Sequence, residues 1–80
     1  MKAMDLMKKG DLVYLPSDIM IFGTVDKTGD IHDWMSLNEP AYGVMITPNY
    51  DNERIYHKIH VKGSDWFVRT IDTMEVTSHA

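Results

Sequence analysis

The sequence predicts a single all-β domain, a small barrel of five to six short antiparallel strands, over residues 1–80. Three observations carry that prediction. The chain has 80 residues, 44% apolar and 25% charged. A chain this short buries only ~60–65% of the surface its unfolded form exposes, so there is room for one core and little else. Its apolar residues recur largely with a period of two, and clusters of Pro, Gly, Asn, Asp and Ser interrupt them at short intervals. That pattern leaves space for strands and turns but not for long helices. At this length, closing a sheet into a barrel is the main way to protect its edges.

The elements follow in order. In residues 1–9, Met1, Met4 and Leu6 or Met7 form an apolar stripe at helical spacing, with Lys8 and Lys9 in the last turn and Gly10 as the stop. Two turns do not hold without tertiary contacts, so a short N-terminal helix and a frayed arm both remain open. Residues 11–15 read as a strand with Val13 and Leu15 on one face, ended by Pro16. Residues 19–25 are strongly apolar and form a second strand. Residues 26–30 are a turn around Gly29, and residues 31–37 fit a short return strand of an irregular hairpin.

Asn38-Glu39-Pro40 breaks regular structure, and residues 41–47 form a strand with Tyr42, Val44 and Ile46 on one side. Residues 48–52 are a turn. Residues 53–61 are the clearest strand: Ile55, His57, Ile59 and Val61 face one way, and Arg54, Tyr56, Lys58 and His60 the other. Lys62-Gly63-Ser64-Asp65 makes a tight hairpin into a strand at 66–69. Thr70-Ile71-Asp72 suits one helical turn, residues 74–77 can add a last short strand, and residues 78–80 are a tail. The expected core is Val13, Leu15, Ile21, Tyr42, Val44, Ile46, Ile55, Ile59, Val61, Trp66, Val68 and Val76.

The order of these pieces is itself informative. A Lys-Gly-Asp-Leu-Val opening at 9–13 precedes a long excursion between Pro16 and Pro40. Three consecutive antiparallel strands follow, then Arg69-Thr70-Ile71-Asp72 and a closing Met74-Glu75-Val76. Over residues 9–76 this resembles the Src-homology-3-type small barrel, whose landmarks are a long loop after the first strand and a single helical turn before the last. It also resembles the Sm-like variant, which places a short helix before the first strand. The "Gly-Asp-Leu-Val" start and the "Asp-x-x-Glu-Val" end are similar to those of short proteins of marine bacteria and their phages. The Sm-like resemblance implies ring assembly and single-stranded RNA binding; Lys62-Gly63 sits in a hairpin where that family carries Arg-Gly. The Src-homology-3 resemblance implies an aromatic groove beside an acidic loop, for which Asp26, Asp30, Asp33 and Glu39 qualify. Fold-level likeness does not fix function.

Composition narrows the function. Twelve acidic against eight basic side chains give a net charge of −4, which disfavours a general nucleic-acid coat. There is no cysteine, so disulfides, thiolate metal sites and catalytic thiols are out. No apolar run nears the ~20 residues of a membrane helix, and the N-terminus lacks the apolar stretch of a secretion signal, so a cytoplasmic protein without a membrane partner is the expectation.

Chemistry-bearing patterns are sparse. His57 and His60 are three apart on a strand and so point to opposite faces. His32 has Asp30 and Asp33 nearby, a pairing common by chance, and His79 lies in the tail. The acids around Gly29 lack calcium-loop spacing. There is no phosphate loop, dinucleotide fingerprint or nucleophile elbow. The expectation is therefore no enzyme, no catalytic residue, no cofactor and no metal.

Two surfaces remain. Residues 54–69 hold four basic side chains and one acid. There Arg54, Tyr56, Lys58, Lys62 and Arg69 form a candidate face for single-stranded nucleic acid, which small barrels bind by stacking bases on aromatic rings. Trp34, Tyr42 and Tyr50 are candidate anchors for a protein partner, tryptophan and tyrosine being enriched at binding hot spots. The leading expectation is a non-enzymatic interaction module acting through self-association or a protein partner, with RNA binding as the alternative.

Overall fold

The computed structural model describes residues 7–76. The expected N-terminal helix or arm and the tail lie outside the described residues, apart from Met7, Lys8 and Lys9. Among these residues, seven antiparallel strands form one sheet: β1 (Leu12–Leu15), β2 (Ile19–Val25), β3 (Ile31–Leu37), β4 (Ala41–Thr47), β5 (Tyr56–Val61), β6 (Ser64–Arg69) and β7 (Met74–Glu75). A single 3-10 turn, Thr70–Asp72, precedes β7. The sheet order is β3-β2-β6-β5-β4-β1-β7.

This corrects the expected five- to six-stranded closed barrel on two points. Both optional strands form, giving seven. The sheet is also open, because among the described residues β3 pairs only with β2 and the two-residue β7 pairs only with β1. A strand that short offers too few donors and acceptors to seal a barrel against a seven-residue neighbour.

The main core lies on one face. Val13, Leu15, Ile19, Ile21, Leu37, Met45, Ile59, Val61 and Val68 form one buried cluster, with Met7, Ala41 and Trp66 packed against it. No second layer covers that face among the described residues, so the sheet must coil around it to exclude water. The least molecular extent, 19 Å, fits a coiled sheet rather than a flat one. A second cluster of Phe22, Val25, Tyr56 and Phe67, backed by Met20 and Tyr50, lies outside the expected core.

Half of the expected core is correct: Val13, Leu15, Ile21, Ile59, Val61 and Val68 are buried. In β4 the inward face is inverted. Gly43 and Met45 point in, while Tyr42 and Val44 are exposed and Ile46 is half-buried. Gly43 explains the inversion. A Cβ there would stand 2.6 Å from Ile59 Cγ2 and 2.8 Å from the His60 carbonyl oxygen. Its bare backbone lets β5 approach closely, and a residue without a side chain carries no hydrophobic signal. Ile55 is exposed because β5 begins only at Tyr56, after Arg54 takes φ 60°. Trp66 and Val76 are half-buried. The β5–β6 hairpin turns on Lys62 and Gly63 alone, at φ 54° and 82°, so Ser64 and Asp65 join the strand. Two successive positive φ values match the twist of a two-residue hairpin.

Candidate interaction surface

The loop between β4 and β5 is organised by one buried carboxylate. Asp51 Oδ1 accepts from the Ile55 and Tyr56 amides at 2.8 and 2.9 Å, and Oδ2 accepts from the Glu53 amide at 3.3 Å. Aspartate closes such turns because its short side chain reaches backbone N–H groups a few residues on. From the same side, His57 Nδ1 accepts the Asn49 amide at 3.0 Å. Burial depresses the His57 pKa below 6.5, since a charged imidazole would lose its hydration there. An Nδ1 that already accepts a backbone N–H is also unable to take a proton without breaking that bond.

The β2–β3 turn leans on this loop. Asp26 Oδ1 accepts from Thr28 Oγ1 at 2.6 Å, the Thr28 amide at 3.0 Å and the Asp30 amide at 3.1 Å. The Thr28 hydroxyl and the Asp30 amide hold the Asp26 carboxyl below its ordinary value. Lys27 sits over the Tyr50 ring at 4.3 Å, and its carbonyl accepts the Asn52 amide at 2.9 Å. The Asp26 side chain therefore serves the turn, whereas Asp33, expected with it on a loop, lies in β3.

The strand register brings Tyr56, Lys58, Phe67 and Arg69 to one face, as the alternation suggested: Tyr56 opposes Arg69 and Lys58 opposes Phe67. The rings are not open to stacking, however. Tyr56 packs edge-on against Phe22 at 5.4 Å, and Tyr50 covers Phe67 at 4.7 Å. Both Tyr56 and Phe67 are buried. Lys58 rests over Phe67, and Arg69 pairs with Asp72 at 3.1 Å. Arg54 and Lys62 sit in separate turns at opposite ends of β5. His60, on the same face, pairs with Asp65 at 2.7 Å.

The three aromatic anchors separate. Tyr50 is half-buried as a lid on the second cluster. Trp34 lies on edge strand β3 opposite Phe22. Tyr42 lies three strands away from β2, on β4, facing Tyr14 of β1 with ring centroids 5.4 Å apart. Around Tyr42 the structure assembles a patch that the alternation pattern does not reveal. Leu12 opposes Val44, Tyr14 opposes Tyr42, and Met74 opposes Tyr14, so all five share the outer face. Leu12, Tyr42, Val44 and Met74 are 46, 63, 40 and 57% exposed. The sequence signal for it is the apolar run Tyr42 to Ile46, whose outward members the alternation assigns to the core.

Near the Lys62 end of β5, a groove of about 340 Å³ opens beside the main core. Ile21, Leu37 and Trp66 line it, with Glu39 and Lys62 among its polar residues. Among the described residues no helix is long and apolar enough to cross a membrane. The chain matches no family model, no curated protein and no solved structure.

Proposed function

We propose that this protein is a non-enzymatic interaction module that self-associates through the outer face of β1, β4 and β7. The observation that carries the reading is the contiguous patch of Leu12, Tyr14, Tyr42, Val44 and Met74. An uncharged apolar patch can meet its own copy across a two-fold axis without opposing like charges. Contiguous apolar surface of this kind marks an association site more often than scattered single residues do. Among the described residues the patch runs to the unpaired edge of β7, which gives a second copy room to approach.

The strand order supports reading the sheet as an open form of the Src-homology-3 or Sm-like architecture. β1 lies between β7 and β4, β4 to β6 form a meander, and one 3-10 turn precedes the last strand. Single-stranded nucleic acid is the weaker reading, because the rings on the basic face are already packed. Val44→Lys tests self-association directly: it places a charge inside the patch without touching the buried face. The solution mass should fall to that of a monomer while the β-sheet spectrum is unchanged. A wild-type protein already monomeric at high concentration would remove the proposal.

A further inference from the structure

The outer edge of β3 is unpaired among the described residues, and it lies at the opposite end of the sheet from the patch above. Strand edges of this kind are usually blunted by lysine, proline or brevity. β3 has no lysine or proline, is seven residues long and reads Ile-His-Asp-Trp-Met-Ser-Leu; its edge is modified only by the acid Asp33 and the register shifts beside it. Ile31, Trp34 and Met35 are 42, 59 and 46% exposed. From the register with β2, Trp34 and Ser36 share the face of Phe22 and Met20, and Met35 and Leu37 share the face of Ile21 and Ile19; two register shifts between Phe22 and Val25 interrupt the alternation where Asp33 pairs with Thr24 and Ile31 with Val25. The Asp33 carboxylate lies beside Gly23, within 3.0 Å of where a Cβ would stand. Along the strand Asp33 stands between exposed apolar residues, Ile31 on one side and Trp34 and Met35 on the other.

Charge selects the occupant. Residues 19–39 hold four acids (Asp26, Asp30, Asp33, Glu39) and one lysine. A second copy of the hairpin would bring like charge to like charge, whereas a basic strand would be attracted. We infer that β3 accepts an extended basic peptide segment as an added antiparallel strand, with a lysine or arginine opposite Asp33 and apolar residues opposite Ile31, Trp34 and Met35. Main-chain hydrogen bonds supply the binding and the alternate side chains supply the selection, as in other strand-addition complexes. Cross-strand charge pairs favour the opposite sign and penalise the same sign.

The probe is the peptide acetyl-Thr-Val-Ile-Lys-Thr-Val-Thr-amide, titrated at low salt into isotope-labelled protein and followed by amide shifts and exchange. Its lysine falls opposite Asp33 in the register described. Shifts and slowed exchange should be confined to β3 and its neighbour β2. Replacing the peptide lysine by glutamate should weaken binding about tenfold, attraction having become repulsion. The protein variant Asp33→Lys should reverse that preference, and N-methylation of alternate peptide amides should abolish binding. Equal affinity for the two peptides, shifts that map elsewhere, or no response at ~1 mM peptide would overturn the inference. Concentration-dependent protection of β3 without peptide would instead assign the edge to a second copy and equally overturn it. Repeating the titration on Val44→Lys should give the same result, which separates this edge from the self-association face.

Discussion

Gly43 is the residue on which the packing of β4 against β5 turns. Gly43→Ala places a methyl group against Ile59 Cγ2 and the His60 carbonyl. The backbone oxygen is unable to move aside as a flexible side chain would, so unfolding experiments should show a loss of about 2 kcal/mol or more. Asp51 holds three backbone amides. Asp51→Ala leaves those donors without their acceptor and should cost about 3 kcal/mol, whereas Asp51→Asn keeps one oxygen and should cost clearly less. An alanine variant as stable as wild type would show that solvent replaces the carboxylate freely.

His57 couples stability to pH. Its folded pKa is depressed below 6.5 by burial, so below about pH 6.5 the unfolded chain takes up a proton that the folded chain resists. Stability due to this group is therefore full above 6.5 and declines as pH falls toward the folded value. Denaturant titrations between pH 7.5 and 5 should show that decline, and His57→Gln should flatten it. An unchanged slope in the variant would place the titration elsewhere. The two-face alternation of β5 is enough, by sequence alone, to mark His57 as an inward residue. Its partner, the Asn49 amide, is not legible there, because a turn's backbone direction leaves no mark on composition.

At the scale of elements, the β2–β3 turn and the β4–β5 loop behave as one tied unit. Lys27 joins them through its carbonyl and its ammonium over Tyr50. The tie is exposed, so Lys27→Ala should change global stability by less than about 0.5 kcal/mol. Hydrogen exchange at Asn52 should nevertheless speed up; unchanged exchange would mean that the Lys27 side chain does not hold the loop. Strands announce themselves where alternation is unambiguous, as in β1 and β5, and the 3-10 turn falls where Thr70-Ile71-Asp72 suggests. Alternation fails where apolar residues occupy both faces. In β4, Val44, Met45 and Ile46 are consecutive, and only the close approach at Gly43 decides which way they point. In β2, Ile21 and Phe22 are both buried, on opposite faces, so the second cluster is hidden inside an apolar run.

At the scale of the molecule, the open sheet leaves, among the described residues, two unlike edges and one apolar patch on its outer face. The sequence predicts edges closed into a barrel, and nothing in it shows which residues stand beside the open ones. The sequence reading names Tyr42 both as a candidate anchor and as core, and its neighbours Leu12, Val44 and Met74 emerge only from the register of three strands distant in sequence. The basic face is visible in its alternation, while the burial of its rings is not, because Tyr50 reaches it from a turn. A standard protein interface takes roughly 800 Å² from each partner, about one-seventh of the 5312 Å² exposed by this chain. Five side chains supply on the order of a few hundred Å², so association should be concentration-dependent in the micromolar range.

The most direct measurement is solution mass by light scattering across a concentration series, for wild type and Val44→Lys side by side. The account predicts a wild-type mass that rises to at least twice 9.2 kDa with concentration, and a variant that stays at the monomer mass with its fold intact. A wild-type mass fixed at the monomer value up to ~1 mM, or a variant that associates as wild type does, would contradict it.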